Sequence, residues 1–258
     1  MMSNMIPNMR RCSPDTPNMK FLYRWIGVLS IGLIWSSSVN ALLLQSHKHH
    51  DRSDIVPWGQ NAYQLVTGDD SEEDRRSWDR LYQSNQYIFG KEPAQFLAQH
   101  LPDLTSGRVL DIAMGEGRNA VFLAKKGFLV DGVDISEVAL RKAKRLAREN
   151  GVSIAPILAD LTTYVIRPDV YSVMVNFDYL QKNLILQMKR ALKKKGVIVF
   201  QNYTVDQLYN PGGLSMRRDN LLKKGELRAL FKDFDILVYE ETNDGVHARA
   251  SLIARKPE

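Results

Sequence analysis

The nine residues Val109-Leu110-Asp111-Ile112-Ala113-Met114-Gly115-Glu116-Gly117 constrain this chain more than any other stretch. An apolar run carrying one acid and closed by Gly-X-Gly, with a helical pattern over about 117 to 126 directly behind it, reads as strand, tight turn and helix. That unit opens a parallel sheet with helices on its faces. The residues downstream repeat the alternation. Strands are expected at 107 to 112, 128 to 133, 153 to 159, 170 to 176, 196 to 202, 234 to 240 and 247 to 255. Helices are expected at about 136 to 149, 179 to 194 and 223 to 231, where Ala139, Ala143, Leu146 and Ala147 make one apolar stripe and Leu180, Leu184, Met188 and Leu192 another. Gly127, Gly151 and Gly196 follow three helices where a left-handed cap is expected. Two more helices, at about 71 to 84 and 93 to 101, precede the sheet, the second with Pro93 in its first turn. Only Glu241 to Gly245 separate the last two strands, too few for a parallel crossover, so they form an antiparallel hairpin. The fold class is α/β and Rossmann-like: seven strands, mostly parallel, with an antiparallel last strand, in one domain over residues 76–258.

Gly115, Gly117 and Ala120 also satisfy the GxGxxA pattern of a dinucleotide fold, so the glycines alone do not choose the ligand. Asp111 does. A dehydrogenase has an apolar residue at that strand position, whereas S-adenosylmethionine (SAM) needs an acceptor near its cationic aminopropyl end. Asp134, ending the second strand, is placed for ribose hydroxyls, and Asp160, ending the third, for the adenine amino group. Ligands of such sheets lie at the carboxyl ends of the strands, where all three acids fall. Gly115 and Gly117 let the backbone approach the ligand, since a side chain there would occupy its volume. Ala113, Ile135, Leu161 and Asn176 complete the expected cofactor-binding set.

The segments WDRLYQSNQYIFGKEPAQFL (78–97), VLDIAMGEGRNAVFLAKKGFLVDGVDIS (109–136), NFDYL (176–180) and LLKKGELRALFKDFDILVYEE (221–241) resemble SAM-dependent methyltransferases of the tellurite-resistance, TehB-like group. The likeness covers about 76 to 258; the GEGRN segment and the stretch from Gly127 to Ser136 are its specific parts. It implies a class I methyltransferase fold, SAM as methyl donor and a small acceptor, with tellurite or related oxyanions as named candidates. The chain departs from most relatives at Ala113-Met114, where they carry Gly-Cys or similar, and Ala113 adds a methyl group to a tight loop.

A soft anionic acceptor needs no general base, only cationic or hydrogen-bonding groups to hold it. In an antiparallel last strand the beginning faces the ligand edge, which brings His247 and Arg249 there on one face, and these are the expected catalytic residues. Tyr82, Tyr87, Phe89 and Phe96, and the long connection Tyr203 to Leu221, are candidates to close over the site, although Phe96 fits a core position better. No metal is expected: His47, His49 and His50 have no carboxylate or cysteine partners at ligand spacing.

The net charge of +6 divides evenly, because residues 1–41 hold Arg10, Arg11, Lys20 and Arg24 against Asp15, a net +3 that leaves +3 for the rest. That balance is too small for a nucleic-acid footprint, and Arg141, Lys142, Lys144, Arg145 and Arg148 read as a solvated helix face. The acceptor is therefore expected to be a small molecule. Lys20 and Arg24 ahead of an apolar run from Ile26 to Trp35, then Val39 and Ala41, form a signal-peptide pattern with Met19 as the expected start; the rival is an uncleaved anchor spanning about Trp25 to Leu44. Residues 1–41 are thus signal peptide or anchor and 42–75 a polar linker. Export to the periplasm, or membrane association through the apolar segment, is expected if that segment is used, and a cytoplasmic protein if it is not. The sole cysteine, Cys12, precedes Met19. The leading expectation is methyl transfer to a small soft nucleophile. The alternatives are a quinone-like lipid C- or O-methyltransferase and a non-catalytic exported SAM-fold module.

Overall fold

A computed structural model describes residues 71–211, 213 and 216–258. The leader or anchor over 1–41, the histidine cluster and all but the end of the linker lie outside the described residues. Among the described residues, no helix is long and apolar enough to cross a membrane.

The sheet comprises β1 (Arg108–Ile112), β2 (Leu129–Asp134), β3 (Ala155–Leu158), β4 (Tyr171–Phe177), β5 (Leu192–Tyr203), β6 (Asp235–Asn243) and β7 (Ala248–Arg255), in the order β3-β2-β1-β4-β5-β7-β6. The first five strands pair in parallel, and β7 runs antiparallel to both β5 and β6. Order reverses between β1 and β4, so the carboxyl ends of these strands open the crevice in which such sheets bind ligands. The helices are α1 (Ser71–Tyr82), α2 (Gln95–Gln99), α3 (Arg118–Lys125), α4 (Glu137–Glu149), α5 (Ile185–Ala191) and α6 (Glu226–Leu230).

Side chains alternate across the sheet and feed two core layers. Leu110, Ile112, Met174, Ile198, Phe200 and Leu252 face one layer, packed against Leu184, Met188, Leu227 and Phe231. Val109, Val173, Val175, Val197, Val199 and Ile253 face the other, packed against Leu97, Ala120, Leu123 and Ala143. Phe96 belongs to this second layer, the core position its sequence favours. α4 buries its expected stripe of Ala139, Ala143, Leu146 and Ala147, and the Ser136 hydroxyl caps it by accepting from the Ala139 N–H at 3.1 Å.

Three local expectations are corrected. The pattern over 179 to 194 is not one helix: a 3₁₀ turn (Lys182–Leu184) leads into α5, and the chain is already strand at Leu192, which pairs with Tyr171. The apolar stripe is buried as expected, but its last member is sheet, because tertiary pairing overrides a helix pattern near its end. Gly196 is not the left-handed residue there; Lys195 takes φ 61°, while Gly127 and Gly151 do adopt φ 88° and 68°. Gly196 is small for another reason, since a Cβ on it would lie 2.8 Å from the Lys193 carbonyl oxygen. Pro93 does not open α2, which starts at Gln95 behind Ala94 at its N-cap.

Candidate functional site

The loop leaving β1 is shaped by backbone alone. Ala113, Gly115 and Gly117 stand at φ 51°, 57° and 85°, three left-handed residues in five. For alanine that conformation costs about 1–2 kcal/mol. The Met114 N–H donates to the Val133 carbonyl at 2.9 Å, and its thioether fills the space a Cβ on Gly132 would need. Gly117 has a further reason to be small. A Cβ there would meet the Ala143 Cβ at 2.7 Å, so Gly117 lets α3 start against α4. A Cβ on Gly115 would face the Tyr82 hydroxyl at 3.1 Å.

Around this loop stand the three acids. Asp111 is buried with its Oδ2 lacking any hydrogen-bond partner, and burial pushes its carboxyl up to about 8, against the pull of Arg118 and with reinforcement from Asp134. Asp134 accepts from the Gly115 N–H at 2.7 Å and the Ser136 N–H at 2.8 Å; burial raises it to about 6 and those two bonds oppose the rise. A carboxylate has about four acceptor sites, so Asp134 keeps capacity for hydroxyls. Asp160 accepts from the Thr162 N–H at 2.8 Å through one oxygen, while its buried Oδ2 has no partner. Two orphaned buried acceptors and a third half-used one call for a ligand rich in donors. SAM, with an ammonium, ribose hydroxyls and an adenine amine, fits that set.

The remaining expected cofactor residues divide. Ile135 is half-buried beside Asp134. Leu161 is in the core, and the Asn176 amide is committed to the Tyr179 carbonyl at 2.7 Å, fixing the turn after β4. Tyr179 donates its hydroxyl to the Gln181 Oε1 at 2.5 Å; burial raises its pKa, followed by the fields of Asp160, Asp134 and Asp74. The phenol therefore lies among three acids.

Across the crevice the groups are cationic. Arg249, at the start of β7, donates to the Tyr203 hydroxyl at 2.7 Å, lies 4.6 Å over that ring and reaches Asp178 at 3.8 Å, leaving its buried Nε unpaired. Asp178, left-handed at φ 58°, also receives Arg118 at 3.6 Å. Burial and the Asp178 charge raise the Tyr203 pKa and keep the phenol protonated. His247 is exposed in the β6–β7 turn, its ring 6.2 Å from that of Tyr203. The period of two thus brings His247 and Arg249 to one tyrosine, Arg249 through a hydrogen bond to its hydroxyl and His247 through ring contact, with the His247 backbone N–H donating to Asp244 at 2.7 Å.

The sequence reading missed the group that ties the N-terminal helices to the site. The Glu116 carboxylate accepts from the Ile88 N–H at 2.7 Å and pairs with Lys142; Arg118 donates to the Phe89 carbonyl at 3.2 Å; the Asn119 Oδ1 accepts from the Ala94 N–H at 2.8 Å. Every polar residue of GEGRN therefore grips residues 88–94. Lys142 corrects the solvated-face reading, being only 7 % exposed. Its signal was present: with Ala139, Ala143 and Leu146 it completes an i, i+3, i+4, i+7 set, the buried stripe itself. Among the described residues, no cluster of His, Cys, Asp and Glu is placed to hold a metal.

Residues 109–196 match the family model described as a methyltransferase domain. The chain is 29% identical over 120 residues to a ubiquinone biosynthesis O-methyltransferase of Pasteurella multocida (41% of this chain, 50% of that protein). It is 30% identical over 154 residues to a ribosomal RNA small subunit methyltransferase C of Psychromonas ingrahamii (58% of this chain, 41% of that protein). The chain spans about half the length of the curated relatives it matches. Among solved structures, TehB from Haemophilus influenzae superposes with a TM-score of 0.55 at 19% identity, covering 70% of this chain and 66% of that one. Haemonchus contortus phosphoethanolamine N-methyltransferase 2, solved in complex with SAM, gives 0.55 at 20% identity, covering 70% and 56%. Residues 109–196 are thus similar to a methyltransferase domain, and the seven-stranded sheet with acids at its switch point gives the described residues a TehB-like, class I methyltransferase fold.

Proposed function

We propose that this domain moves the methyl group of SAM to a small, soft, anionic acceptor, a tellurite- or selenite-type oxyanion or a thiolate, held at the rim by Arg249 with His247 beside it. The observation that carries the reading is the charge balance there: two guanidiniums, Arg118 and Arg249, share the single carboxylate of Asp178. Arg249 also retains an unpaired Nε.

When bound, SAM supplies a methyl group already activated by its sulfonium. Asp111 would hold the ammonium, Asp134 the ribose hydroxyls and Asp160 the adenine amine, while Gly115 keeps the loop close. What remains for the chain is alignment and exclusion of water, and proximity and orientation are worth about 7–11 kcal/mol. An already anionic acceptor needs no proton removed. Arg249 and the protonated Tyr203 are suited to hold its charge without taking part in proton transfer. A quinol-like acceptor is the second reading, favoured by the likeness to a ubiquinone biosynthesis O-methyltransferase. It requires a base, and exposed His247 is the group available near Tyr203.

The test is methyl transfer from SAM to a panel of tellurite, selenite, small thiols and a quinol. Turnover with the oxyanions or thiols is expected, and turnover confined to the quinol would move the acceptor to the second reading.

A further inference from the structure

The ion pair of Glu116 and Lys142 has no part in the cofactor set, yet both residues are buried, at 4 % and 7 % exposed. A buried ion pair is a poor source of net stability, because desolvation offsets most of the attraction. What such a pair does well is fix one arrangement of the backbone around it, and here that backbone is a strap with little regular structure. The Lys142 ammonium donates to the carbonyls of Tyr82 at 3.3 Å, Ser84 at 2.8 Å and Gln86 at 2.7 Å. The first of these ends α1, so the lysine also caps that helix. Glu116 takes the other side of the strap through the N–H groups of Ile88 at 2.7 Å and Phe89 at 3.4 Å. Glu116 stands between Gly115 and Gly117, so the strap is fastened to the cofactor loop itself.

What the strap positions is α1. The helix ends with the Tyr82 hydroxyl over Gly115, in an aromatic run with Trp78 (ring centroids 5.8 Å apart) and Phe89 (6.3 Å). One turn earlier, Asp79 accepts from the Ser136 hydroxyl at 2.7 Å and the Val138 N–H at 3.2 Å, at the end of β2. α1 therefore lies across the carboxyl ends of β1 and β2, over the crevice.

We infer that Glu116 and Lys142 are positioning residues for SAM: their buried pair latches the strap 83–94 to the cofactor loop and holds Tyr82 and α1 as the cover of the donor site. The inference rests on the cofactor reading above. It makes cofactor retention a property the pair controls over and above the stability lost when one buried partner is removed.

The experiment compares the full chain with its Lys142→Met and Glu116→Gln variants, using SAM as the probe and amide hydrogen exchange as a readout that needs no ligand. Lys142→Met should speed exchange at Ile88 and Phe89 and raise the SAM Kd at least tenfold, mainly through faster dissociation, while circular dichroism stays native. Glu116→Gln keeps an acceptor for the Ile88 N–H, so its loss should be smaller, about threefold in Kd. Tyr82→Phe should raise the Kd with exchange in the strap unchanged, separating cover from latch. Faster exchange with an unchanged Kd overturns the positioning role. Unchanged exchange overturns the latch. Failure of the cofactor reading would instead show in the wild-type chain, as absence of SAM binding.

Discussion

The two halves of the carboxyl edge are built from different materials. On the proposed donor side, β1 to β3 present short acids fixed by backbone: Asp134 is gripped by two N–H groups, Asp160 by one, and the loop after β1 is turned by left-handed residues. On the proposed acceptor side, residues at the ends of β4, β5 and β7 hold one another through long side chains, Arg249 on Tyr203 and Asp178, with Arg118 of α3 reaching the same Asp178. A backbone-built site tolerates almost no change in shape, whereas a site made of long side chains can be re-aimed by one substitution. The donor half should therefore fail through stability and cofactor affinity, and the acceptor half through turnover alone.

The largest effect tests rigidity. Gly117→Ala combines a left-handed φ with a 2.7 Å approach to Ala143, and should destabilise the domain by about 3 kcal/mol, read by thermal or urea unfolding. Gly225→Ala, also left-handed but with open space around it, should cost only about 1 kcal/mol, and equal losses at the two sites would remove the packing argument.

Next comes the split between halves. Arg249→Ala should lower acceptor turnover about 100-fold while changing the SAM Kd less than twofold. Asp134→Ala should do the reverse, weakening SAM by about 1–3 kcal/mol. Calorimetry beside initial rates decides this, and an Arg249→Ala variant with unimpaired turnover ends the assignment of that residue to the acceptor.

A smaller effect concerns pH. Asp111 is raised from its ordinary value to about 8, so between pH 6 and 7.5 the folded chain holds a proton that the unfolded chain has lost. Stability must then fall as pH rises through that window, by at most about 1.4 kcal/mol per pH unit. Asp111→Asn should flatten the slope in melts taken across it. A cationic ligand favours the ionised carboxylate, so SAM affinity should climb over the same range and do so less in the variant. Parallel slopes in both proteins would mean that Asp111 does not titrate there.

The smallest effect concerns Ala113, whose φ of 51° suits glycine. Ala113→Gly relieves about 1–2 kcal/mol of strain but loosens the unfolded chain by about 0.4–1 kcal/mol, so a gain near 0.5 kcal/mol is expected in unfolding midpoints. A loss would show that the alanine methyl contributes packing that outweighs its strain.

Much of the donor half was legible from residue order. Strand, acid and glycine follow one another along the chain, so Asp111, Gly115, Asp134 and Asp160 come together wherever such a sheet forms. The same periodicity delivered the β6–β7 hairpin and the two core layers. Legibility failed where a residue's role depends on a partner far away in sequence. Gly117 also answers to Ala143, Gly132 to Met114, and the Asn176 amide N–H to a turn carbonyl. Lys142 is the clearest instance, a lysine in a basic run whose position on the apolar stripe outweighed its charge.

The sequence by itself determined the strands, the antiparallel hairpin that ends the sheet and the acids at the carboxyl ends of the strands, because those follow from periods of two and 3.6 and from what glycine permits. Only the tertiary structure decided that GEGRN grips the strap, that Tyr82 covers Gly115 and that Arg249 shares Asp178 with Arg118. The physical reason is that a buried polar group must find a partner, and which one it finds is set by elements that meet only after folding.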